Sequence, residues 1–364
     1  MREYFLNHSP ISFRFAQNSK DFIVSEIPLY SWSGEGEHLI LHIRKKNQTT
    51  WEMVNSIAKV LNIDSRNIGY GGLKDKHGLT IQYISIPRKL ENRLSEIEKL
   101  PNIKILATHY HKNKIKIGHL KGNSFFIRLK KVSPMSAKKI AEVLKTIQEV
   151  GIPNFFGYQR FGIDGENHKI GKEILEGKRY IRDRKKRKFF LNSYQSYLFN
   201  LWLSERIRFN KMVDEFSTSE LAKALQTLGI SIQNIEVLKS QPHHFKLLEG
   251  DFMLHYPHGK GFYLKLEEFD EVVKRFQRRD IVPSGFLFGN RVKHAIGESW
   301  DNFEKRYIEH GNLTDGGRRF AWIFPTDIEW RYREESFWFE LRFTLPKGSY
   351  ATSLIEEIAK RDIR

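Results

Sequence analysis

Apolar positions recur along this chain at two different periods, and the places where the period changes mark its elements. Alternation in Ile11–Phe15, Phe22–Ile27 and His38–Ile43 predicts three short strands. Thr49-x-x-Glu52 then reads as a helix capping box. It precedes Met53, Val54, Ile57, Ala58 and Leu61 at helical spacing, which predicts a helix ending near Asn62. The glycine-rich stretch Gly69–Gly78 feeds a β-branched and aromatic run, Thr80–Ile86, and is expected to be a loop held between strands. Lys112–Gly118 alternates Lys and Ile, as a strand with one buried and one basic face would, and Asn123–Lys131 is expected to return beside it after a turn at Lys121-Gly122. Ile140, Val143, Leu144 and Ile147 place a helix over Ala137–Val150, stopped by Gly151 and Pro153.

From Asn154 to about Phe320 the pattern turns helical. A long apolar and aromatic helix is predicted near Phe190–Ile207, a Lys/Glu-rich one near Leu266–Arg278, and another around Trp300–His310. Strand character returns at Ile328–Tyr332 and Phe337–Phe343, a hairpin about Arg333-Glu-Glu, and Ser349 is expected to cap a final helix reaching Lys360. Strands, then helices, then strands again is the pattern of an insertion. The expected fold is α+β: a mixed, mainly antiparallel sheet domain of residues 1–153 plus 323–364, interrupted by a largely helical domain of residues 154–322.

Composition narrows the class. With 364 residues, 40% of them hydrophobic, the chain has material for more than one core, and two domains are expected. The absence of Cys excludes disulfides, a thiolate nucleophile and Cys-ligated metal. The N-terminal residues contain no signal-type apolar run, and no stretch approaches the roughly 20 apolar residues of a membrane span, so a cytoplasmic location is expected. No amphipathic Lys-rich helix suggests a lipid surface, and no heptad seam argues against a monomer.

Charge adds a partner. Lys and Arg number 61 against 43 Asp and Glu, a formal net charge of +18, which points to a polyanion such as nucleic acid. Eight of the eleven residues in Lys178–Lys188 are basic; the run is either a solvated surface or a set of phosphate contacts, and it is read as the latter. One face of the predicted Lys112–Lys131 hairpin is a candidate RNA floor. The 14 His lack metal-ligand spacing, and Gly165–Glu173 departs from a phosphate loop in length and in its final Glu, so neither a metal centre nor an ATPase is inferred.

Three segments combine glycine with chemistry. In Gly72-Leu-Lys74-Asp75-Lys76-His-Gly78, an Asp between two Lys is kept ionised by nearby positive charge; such a carboxylate suits chemistry on a glycosidic bond, where oxocarbenium character develops, although a solvated turn is the alternative. Pro153–Gly162 and Lys121–Phe126, with Leu345–Thr352, set rings and amides beside glycines, which serves base stacking or core packing equally.

Taken together, Gly72-Leu-Lys-Asp-Lys76 with Thr80 and Gln82, Lys121-Gly-Asn-x-Phe125, Pro153-Asn-Phe-Phe-Gly-x-Gln-Arg-Phe-Gly162 and Leu345-Pro-Lys-Gly-Ser-Tyr-Ala-Thr352 resemble the motifs of the tRNA pseudouridine synthase D family, in the same order. Gln195-Ser-Tyr-Leu-Phe-Asn200 and Asp21-Phe22-x-Val24-x-Glu26 extend the likeness. The resemblance implies a pseudouridine synthase catalytic domain with an inserted TRUD domain, acting on uridine 13 in the D arm of tRNA without cofactor or metal. It implies Asp75 as nucleophile, Phe125 and Asn123 beside the target base, and Tyr350 as a second aromatic near the site. Lys74, Gln159 and Arg160 complete the substrate-binding candidates. Where the family often carries a Lys thought to pair with the catalytic Asp, this chain has Ala16, so Arg14, Lys20, Lys74 and Lys76 stand as candidates for that basic partner. The competing reading is a basic RNA-binding or chaperone-like protein that keeps the fold without catalysis.

Overall fold

The structure, a computed structural model, describes residues 2–74, 76, 78–309 and 314–363. The chain divides into two compact units, one of residues 11–144 and 325–348, the other of residues 1–10, 145–324 and 349–364. The change-overs at 144/145 and 324/325 differ from the 153/154 and 322/323 read from the sequence, and the terminal segments pack in the helical unit.

The first unit is built on one sheet. Its strands are β1 (Phe22–Pro28), β2 (His38–Lys46), β3 (Gly69–Tyr70), β4 (Leu79–Pro87), β5 (Ile103–His111), β6 (Leu120–Lys130), β13 (Thr326–Arg333) and β14 (Trp338–Pro346), in spatial order β13-β14-β6-β1-β4-β2-β5 with β3 beside β4. Only β1 and β4 run parallel; β1–β6, β2–β4, β2–β5, β3–β4, β6–β14 and β13–β14 are antiparallel.

Helix α1 (Thr50–Leu61) covers one end of this sheet, packing Met53, Val54, Ile57 and Leu61 against Leu39, Leu41 and Ile43 of β2 and Ile84 and Ile86 of β4. Burial of each such side chain is worth about 1.5–3 kcal/mol. The capping box forms as expected: Thr49 Oγ1 accepts the Glu52 N–H at 3.1 Å, and the Glu52 carboxylate accepts the Thr49 N–H at 2.6 Å. Asn62 ends the helix in the left-handed region. The predicted β13–β14 hairpin is also present, closed by a turn at Glu334–Ser336.

The second unit holds α4 (Asn167–Leu175), the 32-residue α5 (Arg184–Glu215), α6 (Thr218–Leu228), α7 (Ile235–Ser240) and α8 (Phe269–Gln277) around an aromatic core that includes Phe199, Trp202, Phe209, Phe245, Phe276 and Trp322. Helix α3 (Pro134–Val150) precedes it, and α2 (Leu94–Glu98) is a short turn before β5.

Several expectations are corrected. Lys112–Gly118 is not a strand and forms no hairpin with β6, so it supplies no sheet floor for RNA. In the sheet, β2, β4 and β1 separate β5 from β6, and this segment is the crossover between them. Its alternation comes from single-residue packing: Ile115 is 2% exposed and its N–H bonds Ser85 Oγ, whereas Ile117 is 73% exposed. Gly122 lies within β6 and makes no turn; a Cβ there would sit 2.3 Å from the Leu345 carbonyl oxygen. Ile11–Phe15 contributes only a bridge between Arg14 and Lys130.

Residues 154–320 are not purely helical. They include a sheet in the order β11 (Gly317–Phe320), β10 (Ile281–Leu287), β8 (Phe252–His255), β9 (Gly261–Tyr263). These strands are short, and β10 is a continuous buried run without alternation, so period-two patterning misses them. A two-strand ribbon pairs β7 (Ile152–Pro153) with β12 (Trp322–Ile323). Trp300–Tyr307 is a π turn followed by a 3-10 turn, and His310, at the end of the helix expected there, lies outside the described residues. The C-terminal helix starts at Ala351 behind Tyr350; Ser349 does not cap it, and its hydroxyl is buried without a partner.

Candidate active site

The glycine-rich loop between β3 and β4 is where the sequence concentrates its chemistry. Asp75, the expected nucleophile, lies outside the described residues, as does His77. Both chain neighbours of Asp75 are described, and they tie the loop to the start of α1. The Lys74 N–H donates to Thr50 Oγ1 at 2.9 Å, and the Thr50 N–H returns a bond to the Lys74 carbonyl at 3.4 Å. Thr50 Oγ1 in turn donates to Gln82 Oε1 of β4 at 3.1 Å. Lys76 reaches Glu52, in the same first turn of α1, at 3.8 Å. Downstream, Gly78 has φ +97°, and a Cβ would meet the Phe22 carbonyl at 2.9 Å, so only glycine fits where the loop re-enters the sheet.

Lys74 is also held by its side chain. Its ammonium lies 2.6 Å from Glu26 Oε2, in a pair whose side chains are 8% and 1% exposed. Burial pushes the Glu26 carboxyl above its ordinary value, and the charge and hydrogen bond of Lys74 oppose that rise. Residue 74 is thus fixed at its amide, its carbonyl and its ammonium.

Glu26 occupies the core-facing phase of β1 with Phe22 and Val24. The register places Asn123 of β6 opposite it. Asn123 Oδ1 and Gln82 Nε2 are buried and without hydrogen-bond partners. Two positions along β6, Phe125 stands opposite Val24, stacks on Phe343 with centroids 5.3 Å apart, meets Phe22 at 6.3 Å, and keeps 6% exposure.

Four cations were open as the basic partner of Asp75. Arg14 is exposed, its backbone bonded in both directions to Lys130. Lys20 is exposed in the turn before β1. Lys74 is committed to Glu26, and Lys76 is half exposed over Glu52. Lys45 follows Leu39, Leu41 and Ile43 in the buried phase of β2, pairs with Thr80 in the ladder, is 1% exposed, and donates to the Gln48 carbonyl at 2.6 Å.

Tyr350, Gln159 and Arg160 belong to the other unit, so the structure groups the named residues as Lys74, Asn123 and Phe125 in one and these three in the other. There Phe156 lies 5.8 Å from the Tyr350 ring, and the Arg319 guanidinium lies 3.8 Å from the Phe156 centroid. Arg319 also donates to the Asn154 carbonyl from Nε at 3.1 Å and to Asn154 Oδ1 from Nη2 at 2.9 Å. Burial pushes its pKa down to about 10. Thr352 Oγ1 donates to Gln159 Oε1 at 3.0 Å, and Arg160 Nε donates to Ser196 Oγ at 3.0 Å. Gln159 and Arg160 are therefore engaged in holding the 153–162 segment. The basic run ends as the first turn of α5, where Asp183 accepts the N–H groups of Lys185 and Lys186.

Sequence reading missed the roles of Glu26, Thr50 and Arg319. Glu26 carries a legible signal, an ionisable residue in the apolar phase of an alternating strand. Thr50 and Arg319 carry none, because their partners are remote in sequence. Among the described residues no group of three or more His, Asp or Glu is arranged to hold a metal ion, and no helix is long and apolar enough to cross a membrane.

Comparison with known proteins agrees with the motif reading. The family model described as tRNA pseudouridine synthase D (TruD) matches residues 1–180. The tRNA pseudouridine synthase D of Wolinella succinogenes is 51% identical over 363 residues, covering 100% of this chain and 99% of that protein. The protein of the same name from Helicobacter pylori strain G27 is 42% identical over 362 residues, covering 97% of this chain and 94% of its own. A crystal structure from Methanosarcina mazei that carries the TruD name has the same fold, with a TM-score of 0.66 at 22% identity, covering 100% of this chain and 97% of that one.

Proposed function

The chain belongs to the tRNA pseudouridine synthase D family, and on that premise we propose that it isomerises a uridine of tRNA to pseudouridine, with Asp75 as the nucleophile and uridine 13 of the D arm as the target. The observation that carries the reading is the anchoring of residue 74, by three separate bonds, directly before the carboxylate. A nucleophile gains from being held at its point of attack before substrate arrives.

In this reading the Asp75 carboxylate attacks the uridine and the N1–C1′ bond breaks. The base turns while it stays bound and rejoins the sugar through C5. The C5 proton leaves and N1 gains one, so the reaction is an isomerisation without redox change. The target base must leave its stack, at a cost of roughly a few kcal/mol. Asn123 Oδ1, buried and without a partner, offers an acceptor for a uracil N3–H, and Phe125 and Tyr350 supply rings. Lys178–Lys188 contributes phosphate contacts. Its five cations from Arg184 to Lys188 open α5, where positive charge disfavours the helix, and contact with RNA offsets that cost. The protein acts as a cytoplasmic monomer without cofactor.

The test is an Asp75→Asn variant assayed for tritium release from tRNA labelled at uridine C5, together with tRNA binding. Binding near the wild-type level with no release is expected. Release near the wild-type rate would remove Asp75 as nucleophile, and a wild-type protein that binds tRNA without release would instead favour the non-catalytic RNA-binding reading. Replacing uridine 13 by cytidine in a transcript should abolish product, and product at another uridine would reassign the position.

A further inference from the structure

The first unit holds a cavity of about 460 Å³, open to solvent, at the end of β6 remote from Asn123. Its size lies within the roughly 300–1,000 Å³ of ordinary ligand sites. Its lining includes the cations Arg14, Lys130 and Lys131, the rings of Phe337 and Trp338, and Ser133, with no carboxylate among the described residues. At about 3.3 Å per strand residue, Lys130 stands about 23 Å along β6 from Asn123, so the cavity is separate from the base-binding candidates. We infer that it is a second RNA contact that takes one unpaired nucleotide of the tRNA, the base stacked on Phe337 and the phosphate on Arg14 and Lys131. The inference rests on tRNA being the substrate.

Packing does not account for Phe337. It closes the β13–β14 turn at φ +54°, in the left-handed region. Glycine ordinarily fills such a place, because a bulky L side chain is disfavoured there. The ring nevertheless stands 52% exposed and meets no other ring or cation among the described residues. Neither burial nor backbone ease selects a Phe here, whereas recognition of a flat ring does. Its backbone is fixed on both sides: the Phe337 N–H donates to the Glu334 carbonyl at 3.2 Å, and the Phe337 carbonyl accepts the Val132 N–H at 3.0 Å. The ring is thus presented on a held turn, beside Lys131, the chain neighbour of Val132 and itself left-handed at φ +56°.

The positive charge is only partly met by the protein. Lys130 Nζ lies 2.6 Å from the Asp21 carboxylate. Arg14 is bonded to Lys130 through its backbone, and both Arg14 and Lys131 are exposed without a carboxylate partner among the described residues. Two such cations beside an exposed ring match the two parts of a nucleotide, phosphate and base. Ser133 Oγ already accepts the Ser136 N–H at 3.1 Å, and the Arg128 guanidinium lies 4.4 Å from the Trp338 ring centroid, so neither Ser133 nor Trp338 is counted toward the ligand.

The experiment measures Kd for tRNA as a function of salt, KM for tRNA and thermal unfolding. It uses the wild-type protein, Phe337→Gly, and the double variant Arg14→Gln, Lys131→Asn, in which Asn suits the left-handed backbone at 131. Phe337→Gly is expected to weaken tRNA binding by about tenfold, the loss of one stacked base, with KM rising in step. Its melting temperature should hold or rise, because glycine relaxes the turn. The double variant should reduce the slope of log Kd against the log of salt concentration by about one to two. Wild-type tRNA affinity in Phe337→Gly, or an unchanged salt slope in the double variant, would overturn the inference. So would binding of AMP that Phe337→Gly abolishes while tRNA affinity stays at the wild-type level, which would give the cavity to a free nucleotide. If Phe337→Gly does not fold, a folded Phe337→Leu with wild-type tRNA affinity would overturn it equally. A wild-type protein that does not bind tRNA would instead remove the substrate on which the inference rests, an outcome distinct from the others.

Discussion

Removing the Lys74 ammonium tests whether the loop is held by a buried ion pair. Lys74 and Glu26 meet at 2.6 Å with side chains 8% and 1% exposed. At an effective dielectric of about 20 the attraction at that distance is about 6 kcal/mol, most of it offset by the desolvation of the two groups. Deleting one partner of such a pair leaves a buried charge, which costs about 3–5 kcal/mol. Lys74→Met should therefore lower the melting temperature of the sheet unit by about 6–20 °C at pH 8.

The loss should depend on pH. Burial already raises the Glu26 carboxyl, and without Lys74 it rises further. A carboxyl whose folded pKa lies above its unfolded one adds stability that is complete below the unfolded value and is lost as pH rises through the folded value. The Lys74→Met penalty should then be smaller at pH 5 than at pH 8. The double variant Glu26→Gln, Lys74→Met, which buries no charge, should recover most of the stability but not the turnover, because residue 74 keeps only its two backbone bonds to Thr50. Thermal unfolding at both pH values, paired with kcat, is the assay. An equal shift at pH 5 and pH 8, or a double variant no more stable than Lys74→Met, would refute the reasoning.

Two further outcomes are expected in the helical unit. His243 accepts the Phe245 N–H at Nδ1 and donates from Nε2 to the Val150 carbonyl, and burial pushes its pKa down to about 4. The stability it contributes is present above the unfolded value near 6.5 and is lost as pH falls toward 4, up to about 3 kcal/mol; unfolding of His243→Gln should show a flatter acid dependence over that window. Arg319→Met, which frees the Asn154 carbonyl and amide and uncovers Phe156, should cost about 2–4 kcal/mol by denaturant unfolding, with Arg319→Lys intermediate because it keeps the charge but not the fork.

The sequence carried the local structure wherever a pattern repeats within one element. The α1 capping box, the alternation of β1, β2 and β4 and the β13–β14 hairpin all form as read, since each depends on neighbours a few residues apart. The order of the motifs also sufficed to name the family, because side-chain identities at fixed spacing survive without any knowledge of the fold. Pairing was decided elsewhere. Lys112–Gly118 has the alternation of a strand, yet the sheet puts β2, β4 and β1 between β5 and β6, and a crossover is the only path. The buried run of β10 reads as strand only once β8 and β11 lie on its two sides.

The same division runs through the site. Sequence set Lys74 beside Asp75 and offered it as a partner, since adjacency is all that a string can show. Tertiary structure gave Lys74 to Glu26, 48 residues away along the chain. Burial makes that choice: an ion pair in water is worth little, so sequence proximity confers no commitment, whereas the enclosed Lys74 ammonium is held by the carboxylate that the fold delivers from β1.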